Sequence, residues 1–286
     1  ATATQSPNHL VSESPNRMRT AVIVTTYNRP DALAAVLEGY LAQTGSRFEL
    51  LVADDGSTED TRKVVTDYAA RASFPLHHVW QEDNGFRAAA ARNRAIAATR
   101  ADYLIFTDGD CIPPRDFVAQ HCRLAEAGYF LSGNRILLSE SFTQRTLGLR
   151  LPVHERNLSD WLLPRLGGDI NRWIPLLRLP DGNWRRAAPE RWAGAKTCNL
   201  SAWRDNLVSV NGLDESYSGW GLEDSDLVIR LLRAGVRHKS ARFAAPVFHL
   251  WHRENDRSRL PENQRQLEAL LASDRIEAQL GLSQYS

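Results

Sequence analysis

The sequence predicts an α/β domain built on a mostly parallel sheet with helices on both faces. The first third of the chain holds four short runs of aliphatic and β-branched residues, which alternate with segments of helical periodicity. Strands that alternate with helices in this way form parallel sheets covered on both faces. Acidic and glycine-containing clusters follow the runs, at the edge where such sheets bind ligands. A chain of 286 residues can form one large domain or two small ones.

Local composition accounts for each element of the first half. The runs predicted to be strands are Thr20–Thr26, Phe48–Ala53, Leu76–Trp80 and Tyr103–Thr107. Pro30 and Asp31 open the first helix, because proline and acidic residues are both favoured in a first helical turn. A second helix follows Thr58. The third covers Ala88–Ala98, where small side chains permit close packing on the sheet.

The second half of the chain is less regular. Residues 140–192 combine four tryptophans with many arginines and show little periodicity. Order returns with Thr197–Trp203, a helix after Glu223 that ends at Gly235, a strand over Phe243–Trp251 and an amphipathic helix from Glu262. The predicted divisions are a disordered leader (1–18), two halves of the sheet domain (19–139 and 193–255), an insertion (140–192) and a C-terminal helix and tail (256–286).

The composition argues against several classes of protein. A net charge of +1 gives no overall positive field to attract nucleic acid. No apolar run approaches the ~20 residues that span a bilayer, and the first residues lack the order of a signal peptide. The three cysteines, Cys111, Cys122 and Cys198, are odd in number and form no CxxC, so we expect no disulfide framework. These features predict a cytoplasmic protein.

Asp108 and Asp110 flank a glycine at the end of the fourth predicted strand. Two carboxylates so close together can face one divalent cation, and their hard oxygens suit Mg²⁺ or Mn²⁺, which keep positions open for substrate phosphates. A solvated acidic turn would give the same short pattern. His249 could supply an imidazole ligand from a distant strand, although a lone histidine in an apolar strand is more often structural.

A second acidic cluster opens the helix predicted after residue 222. Glu223 and Asp224 could simply stabilise the helix dipole. One of these carboxylates could instead act as a general base on a substrate hydroxyl. Trp220 beside Gly221 would offer a flat aromatic surface for a substrate ring.

A third, more diffuse set of polar residues follows the first strands. Its members could together hold a base, a ribose and a pyrophosphate, and each is a weak signal alone. They are Thr25, Tyr27, Arg29, Asp54, Arg87, Arg92 and Asn93. The chain contains no GxxxxGK[ST], GxGxxG or GxSxG motif.

Taken in order, these motifs resemble the GT-A-fold glycosyltransferases of family 2. The matching segments are VIVTTYNRP, LLVADDGST, DNGFRAAAARNRAI and YLIFTDGDCIPP. The block GWGLEDSDLVIRLLRAG and the following FHLWH resemble the galactosyltransferase-type segment of chondroitin polymerases, β-1,4-galactosyltransferases and polypeptide GalNAc-transferases. The resemblance covers about residues 19–138 and 194–252, and residues 140–192 have no counterpart in it.

The resemblance implies a role for each matching residue. Thr25, Tyr27 and Arg29 would line the nucleotide pocket, and Asp54 would hold the uracil or ribose. Arg87 and Arg92, from the diffuse set, are predicted to bind the same nucleotide. Asp108 would face the ribose and the metal, and Asp110 would ligate the metal with His249, for which His252 is a competing candidate. Asp224 would be the catalytic base, with Glu223, Trp220 and Gly221 on the acceptor.

The implied activity is inverting, Mn²⁺- or Mg²⁺-dependent transfer of a sugar from a nucleotide-sugar, most simply a UDP-sugar, to a glycan or lipid-linked glycan. Bacterial surface polysaccharide or lipopolysaccharide would be a typical product. The Trp/Arg-rich segment 140–192 could be an acceptor or membrane-surface element, giving peripheral contact with the inner face of the cytoplasmic membrane, or an ordinary insertion packed on the core. The alternatives are a sugar nucleotidyltransferase and a non-catalytic glycan-binding module.

Overall fold

A computed structural model describes residues 18–45, 47–254 and 256–285 of the chain. The predicted leader therefore lies outside the described residues, except for Met18, which packs against the hydrophobic core. The predicted division of the remaining chain into halves, insertion and tail stays a prediction.

The central sheet has seven strands in the order β3-β2-β1-β4-β8-β6-β9. Pairing is parallel within β3-β2-β1-β4 and between β6 and β9, whereas β8 runs antiparallel to both of its neighbours. The mostly parallel sheet is therefore confirmed. Its strands are β1 (Thr20–Thr26), β2 (Glu49–Asp54), β3 (Leu76–Trp80), β4 (Tyr103–Asp108), β6 (Tyr129–Ser132), β8 (Asn199–Trp203) and β9 (Arg237–Ser240).

Helices cover both faces of this sheet, as predicted. Alternate residues of β1 point to opposite sides, so that Val22 joins one hydrophobic cluster with α1 while Ile23 joins another with α3. The helices are α1 (Pro30–Leu41), α2 (Glu59–Ala69), α3 (Ala88–Ala98), α4 (Phe117–Leu124), α5 (Glu140–Gly148), α6 (Leu162–Leu166), α7 (Arg204–Ser209), α8 (Glu223–Arg233) and α9 (Leu260–Leu271).

A second, three-stranded sheet joins distant parts of the chain. It has the order β5-β10-β7, with β5 at Cys111–Ile112, β7 at Arg135–Leu137 and β10 at Val247–His249. The strand predicted over Phe243–Trp251 is wrong at both ends, because Phe243 adopts a left-handed backbone with φ of 60° and β10 covers only three residues. The tail helix also differs from its prediction, beginning at Leu260 and ending at Leu271.

Residues 140–192 contain helices α5 and α6 and several short 3₁₀ turns, and α5 packs on the core through the buried Phe142. Trp161 is fully buried, and its ring stacks on Phe248 of β10 with centroids 4.4 Å apart. Other leucines of the segment face outward instead, notably on α6. None of the helices in the described ranges has the length and apolar composition needed to span a bilayer.

Candidate active site

The carboxyl ends of three parallel strands bring the predicted polar residues to one edge of the sheet. Thr26 of β1 is paired with Asp54 of β2, and Thr25 is paired with Asp108 of β4. Each strand is buried in the core through its apolar residues. The polar residues at the carboxyl ends of the strands therefore lie side by side. The edge therefore collects residues that lie up to 83 positions apart in the sequence.

Arg92 of α3 connects this edge with the start of α8. Its Nε donates to the Thr25 hydroxyl at 3.0 Å, while Nη2 lies 3.0 Å from Asp108 Oδ1 and Nη1 lies 3.3 Å from Glu223 Oε1. Burial of the Arg92 side chain tends to lower its pKa. The charges of Asp108, Asp224 and Glu223 have a larger, opposite effect, so the pKa of Arg92 is raised. Arg92 is therefore a buried cation that holds two acids from different elements together.

Asp108 lies close to several charged side chains. Burial raises the pKa of Asp108 to about 6, with the charges of Asp110 and Asp224 adding to the rise and that of Arg92 opposing it. Such a carboxylate gains from any further positive charge placed beside it. A cation beside Asp108 would therefore lower the pKa of this carboxyl and favour its charged form.

Asp110 supplies the other acid of the motif and faces two imidazoles. Its Oδ2 lies 3.7 Å from His249 Nε2 and 3.4 Å from His252 Nε2. Pairing of β10 with β5 sets His249 directly opposite Cys111, the residue that follows Asp110. Burial lowers the pKa of His249, which favours the neutral ring that metal ligation requires.

The donor atoms fit a divalent cation. Ligand atoms of Asp110, Cys111 and His249 lie within 4.8 Å of one another, and those of Asp108, Cys111 and Cys198 form a second such group. Carboxylate donors suit Mn²⁺ as well as Mg²⁺, and an imidazole in the same set favours Mn²⁺ over the harder Mg²⁺. The thiol of Cys111, 3.4 Å from Asp110 Oδ1, is a soft donor at the same place that the sequence did not single out.

The second pair of predicted acids lies in the first turn of α8. Thr197 Oγ1 donates to Asp224 Oδ1 at 2.5 Å. Burial and the charge of Asp224 raise the pKa of Glu223 to about 7, against the opposing charge of Arg92. Glu223 Oε2 is buried without a hydrogen-bond partner among the described residues. A substrate hydroxyl that reached this oxygen would satisfy it.

The loop before α8 has a specific backbone conformation that presents Trp220. Gly221 and Leu222 have φ values of 103° and 80°, a region that favours glycine and strains leucine. Asn263 of α9 holds the loop in this shape by donating to the carbonyl of Gly221 at 3.0 Å. The Arg257 guanidinium covers the Trp220 ring at 4.9 Å from its centroid.

The residues predicted for the nucleotide differ in accessibility. Tyr27 is 46% exposed and donates to Asp83 at 2.9 Å, while Arg29 is paired with the neighbouring acid of α1. The backbone of Arg87 donates to Asp55 Oδ2 at 2.7 Å, and its side chain bonds the loop around residue 82. These contacts shape an open loop region beyond β1 and β3.

Asp54 has no exposed surface and makes its contacts within the protein. Its Oδ1 accepts from the Ser57 backbone and its Oδ2 lies 2.8 Å from His78, each at a distance typical of hydrogen bonds. Burial opposes ionisation, but these hydrogen bonds outweigh it and lower the pKa of Asp54. Its predicted contact with uracil or ribose stays a prediction, and in this structure Asp54 fixes the turn after β2.

The structure brings most of the predicted site residues to one edge. Asp108, Arg92, Thr25 and Glu223 share direct contacts, and Asp110 faces both candidate histidines. Sequence reasoning gave no role to three residues that support them, because each acts through a partner distant in sequence. They are Thr197 on Asp224, Lys196 near Glu223 and Asn263 on the loop of Trp220.

Comparison with protein families gives two adjoining matches. Residues 21–178 match the family described as glycosyl transferase family 2. Residues 187–253 match the family described as N-terminal domain of galactosyltransferase. The first match covers more than half of the chain and includes both acids of the Asp108–Asp110 motif. The second includes Glu223, Asp224, His249 and His252.

Two curated proteins illustrate these similarities. Validoxylamine A glucosyltransferase of Streptomyces hygroscopicus subsp. jinggangensis is 32% identical over 228 residues, which cover 76% of this chain and 52% of that protein. Hyaluronan synthase of Pasteurella multocida is 30% identical over 243 residues, which cover 77% of this chain and 23% of the synthase. The chain thus spans about half or less of the length of these relatives.

Solved structures share the fold at low sequence identity. S. aureus TarS 1-349 in complex with UDP matches 94% of this chain and 68% of its own, with a TM-score of 0.61 and 15% identity. The mannosyltransferase PcManGT from Pyrobaculum calidifontis in complex with GDP-Man and Mn²⁺ matches 86% of this chain and 61% of its own, with a TM-score of 0.57 and 20% identity.

Proposed function

The chain belongs to glycosyl transferase family 2, and on this premise we propose an inverting, metal-dependent transfer of a sugar from a nucleoside-diphosphate sugar to a hydroxyl of a glycan or lipid-linked glycan. Membership of this family favours a glycosyltransferase of the GT-A fold over the alternative of a nucleotidyltransferase. The proposed mechanism rests on one observation. Arg92 joins the Asp108 side of the site to Glu223 at the start of α8, so that donor-side and acceptor-side acids lie together.

The donor half is assigned to the loops after β1, β2 and β3. Thr25, Tyr27 and Arg29 would line the nucleotide, Arg87 and Arg92 would lie near its phosphates, and Asp54 would act by fixing the turn after β2. UDP is the proposed carrier, on the analogy of the UDP complex of TarS. Asp108, Asp110 and either His249 or His252 would hold Mn²⁺ or Mg²⁺, which neutralises charge developing on a diphosphate leaving group.

In the proposed reaction Asp224 accepts the proton of the acceptor hydroxyl. The hydroxyl oxygen forms a bond to the anomeric carbon as the bond from that carbon to the diphosphate oxygen breaks, and the bonding electrons leave with the diphosphate. Attack comes from the face opposite the leaving group, so the anomeric configuration inverts. Thr197 orients Asp224, and the unpartnered Oε2 of Glu223 would hold the acceptor.

The proposed acceptor is a sugar chain of a bacterial surface polysaccharide or lipopolysaccharide. Curated relatives that make or modify glycans support a carbohydrate acceptor, with hyaluronan synthase as an example. Trp220 would stack on the acceptor ring beside Gly221. The fully buried Trp161 supports the interpretation that residues 140–192 pack on the core.

We also propose peripheral contact with the cytoplasmic membrane through α6. Leu162, Leu163 and Leu166 are 52%, 77% and 75% exposed, and Arg165 lies among them on the same short helix. Apolar side chains mixed with arginine suit the interface of an anionic bilayer. A lipid-linked acceptor would then reach the site from the membrane surface.

The decisive experiment incubates the purified protein with a panel of UDP-, dTDP- and GDP-sugars and Mn²⁺, and reads nucleotide release by mass spectrometry. We expect release of one nucleoside diphosphate, lost with EDTA and restored by Mn²⁺ or Mg²⁺. Asp110→Asn should weaken metal-dependent nucleotide binding at least about tenfold. Asp205→Asn, an exposed acid on α7, is the matched control and should change nothing.

A transferase that reacts only when its acceptor is bound would release no nucleotide in this assay. Nucleotide binding is therefore also measured by calorimetry. Metal-dependent binding without release would keep the proposal and call for acceptors. Absence of both release and metal-dependent binding across the whole panel would refute the donor and metal assignments together.

A further inference from the structure

A cavity of about 510 Å³ opens at the carboxyl-end edge of the sheet, beyond β6 and β9. Ser132 and Ser240, the last residues of these parallel strands, are paired and both line it. Because β8 is antiparallel to both β4 and β6, β6 runs in the same direction as β4. The cavity is therefore at the same edge as Asp108.

The strand order separates this cavity from the nucleotide side. Strands β6 and β9 lie beyond β8, whereas β1, β2 and β3 lie on the other side of β4. Neighbouring strands are ~4.8 Å apart, so β6 lies about 10 Å from β4, away from the predicted nucleotide residues. A group bound in the cavity would thus belong to the acceptor rather than to the nucleotide.

The cavity also adjoins the proposed catalytic acid. Ala195 lines its wall and stands two residues before Thr197, which donates to Asp224. Two residues of chain span at most about 7 Å. Lys196, between them, is close enough for its charge to act on Glu223. A glycan with its reactive hydroxyl at Asp224 can therefore extend into the cavity.

Three arginines give the cavity a positive charge that the protein does not neutralise. Arg172, Arg191 and Arg242 line it and are exposed. No carboxylate in the described ranges lies within 4.0 Å of their guanidinium nitrogens, whereas Arg178 and Arg186, from the same part of the chain, each have an acidic partner. Three guanidinium groups without a carboxylate partner among the described residues, around one cavity, favour an anionic ligand.

Aromatic side chains form another part of the lining. Trp184 is 42% exposed, and its ring centroid lies 6.2 Å from that of Phe243. The buried Arg185 stacks 4.1 Å from the centroid of Trp184 and donates to backbone carbonyls of Leu179 and Ser240, which fixes its position. Phe243 holds a left-handed backbone at φ of 60°, an uncommon conformation for a bulky residue that often marks a binding site.

We propose that this cavity binds an acidic sugar unit of the acceptor, one that carries a carboxylate or a phosphate group. The inference rests on the proposed function, since it names the class of acceptor for the same active site. The arginines would pair with the acidic group, and Trp184 with Phe243 would pack against the apolar face of the ring. The enzyme would then extend an acidic glycan in preference to a neutral one.

The test measures binding of defined oligosaccharides by calorimetry in 50 mM and 500 mM NaCl. The probes are a tetrasaccharide that contains glucuronic acid, the same tetrasaccharide with its carboxyl groups reduced, and an oligo(glycerol phosphate). We expect at least one acidic probe to bind more than tenfold more tightly than the reduced probe, with affinity that falls as salt rises. The probe that binds distinguishes carboxylate from phosphate.

The double variant Arg172→Gln/Arg242→Gln should weaken that binding at least tenfold. The matched control Arg62→Gln/Arg100→Gln removes two exposed arginines outside the cavity lining and should leave binding unchanged. The inference is overturned if no acidic probe binds better than the reduced one, or if both double variants behave alike. Metal-dependent nucleotide binding, measured on the same samples, shows whether the donor assignment stands when the cavity inference fails.

Discussion

The guanidinium of Arg92 joins groups that come from three separate elements. It contacts Thr25 at the end of β1, Asp108 at the end of β4 and Glu223 at the start of α8. The sequence analysis places Arg92 among the predicted nucleotide-binding residues, whereas in the structure all of these contacts are internal. The nucleotide contact of Arg92 stays a prediction. In the structure Arg92 fixes the distance between Asp108 and Glu223.

The sharpest residue-scale prediction concerns Asp224. Asp224→Asn keeps the shape of the side chain but removes the carboxylate that we propose as the base for the acceptor hydroxyl. We expect the transfer rate to fall about 10²- to 10⁴-fold, the usual contribution of a general base, while the Kd for the nucleotide changes less than about threefold. Initial rates with the donor identified by the panel, combined with calorimetry, measure both quantities.

Glu223→Gln is the informative companion to that variant, because Glu223 is the neighbouring acid with a pKa raised to about 7. If Glu223 binds the acceptor, the glutamine should mainly raise the KM for acceptor. Full activity in Asp224→Asn, together with loss of kcat in Glu223→Gln, would move the role of base to Glu223. Asp205→Asn again serves as the exposed control.

At the scale of elements, helix α8 depends on a buried ionic network. Arg230 Nε lies 2.6 Å from Asp226 Oδ1, and neither side chain is exposed. Arg275, from the segment after α9, lies 2.8 Å from Asp214 and 3.3 Å from Asp226, so the C-terminal segment is tied to the same network. The network holds the helix whose first turn carries Glu223 and Asp224.

Arg230→Met should lower the free energy of unfolding by about 3–5 kcal/mol, because it leaves Asp226 with a buried, incompletely paired charge. Urea unfolding followed by circular dichroism measures this loss. Arg62→Met on α2 disrupts only an exposed pair with Glu59 and should cost at most ~1 kcal/mol. A similar small change in both variants would show that the network does not stabilise the fold.

The elements that sequence patterns predicted well are those with local signals. The four β-branched runs and the helices after Pro30 and at Ala88–Ala98 lie where predicted, within one residue at the strand ends. Strands β5, β6, β7 and β9 escaped prediction because they are short and gain their hydrogen bonds from partners far away in sequence. Pairing of β10 with β5 cannot be read from local composition, although it brings His249 beside Asp110.

In the candidate site, too, some residues could be predicted from the sequence and others could not. Acids at strand ends could be predicted, since the edge of a parallel sheet gathers them wherever they lie in sequence. Thr197 and Asn263 could not, because their importance comes only from the side chain or carbonyl they contact. The arginine-lined cavity likewise needs the three-dimensional arrangement, since arginines with and without acidic partners look identical in the sequence.

At the scale of the whole molecule, residues 140–192 have two different surfaces. One side packs on the core through Trp161, while α6 presents Leu163 and Leu166 to solvent at 77% and 75% exposure. Transfer of an exposed leucine side chain from water into a lipid interface is favourable, by up to ~1.5–3 kcal/mol when the side chain becomes fully buried. The proposed membrane contact therefore depends on this face rather than on the segment as a whole.

Flotation with vesicles tests this contact directly. The protein should float with vesicles rich in phosphatidylglycerol and less well with neutral ones, since arginine favours an anionic surface. Leu163→Gln/Leu166→Gln should reduce the bound fraction at least about tenfold. The matched control Leu271→Gln/Leu280→Gln changes two leucines of 46% and 45% exposure outside α6 and should still float. Absence of flotation in the unmodified protein, or equal flotation of both double variants, would refute the membrane contact through α6. The acceptor would then have to bind from solution.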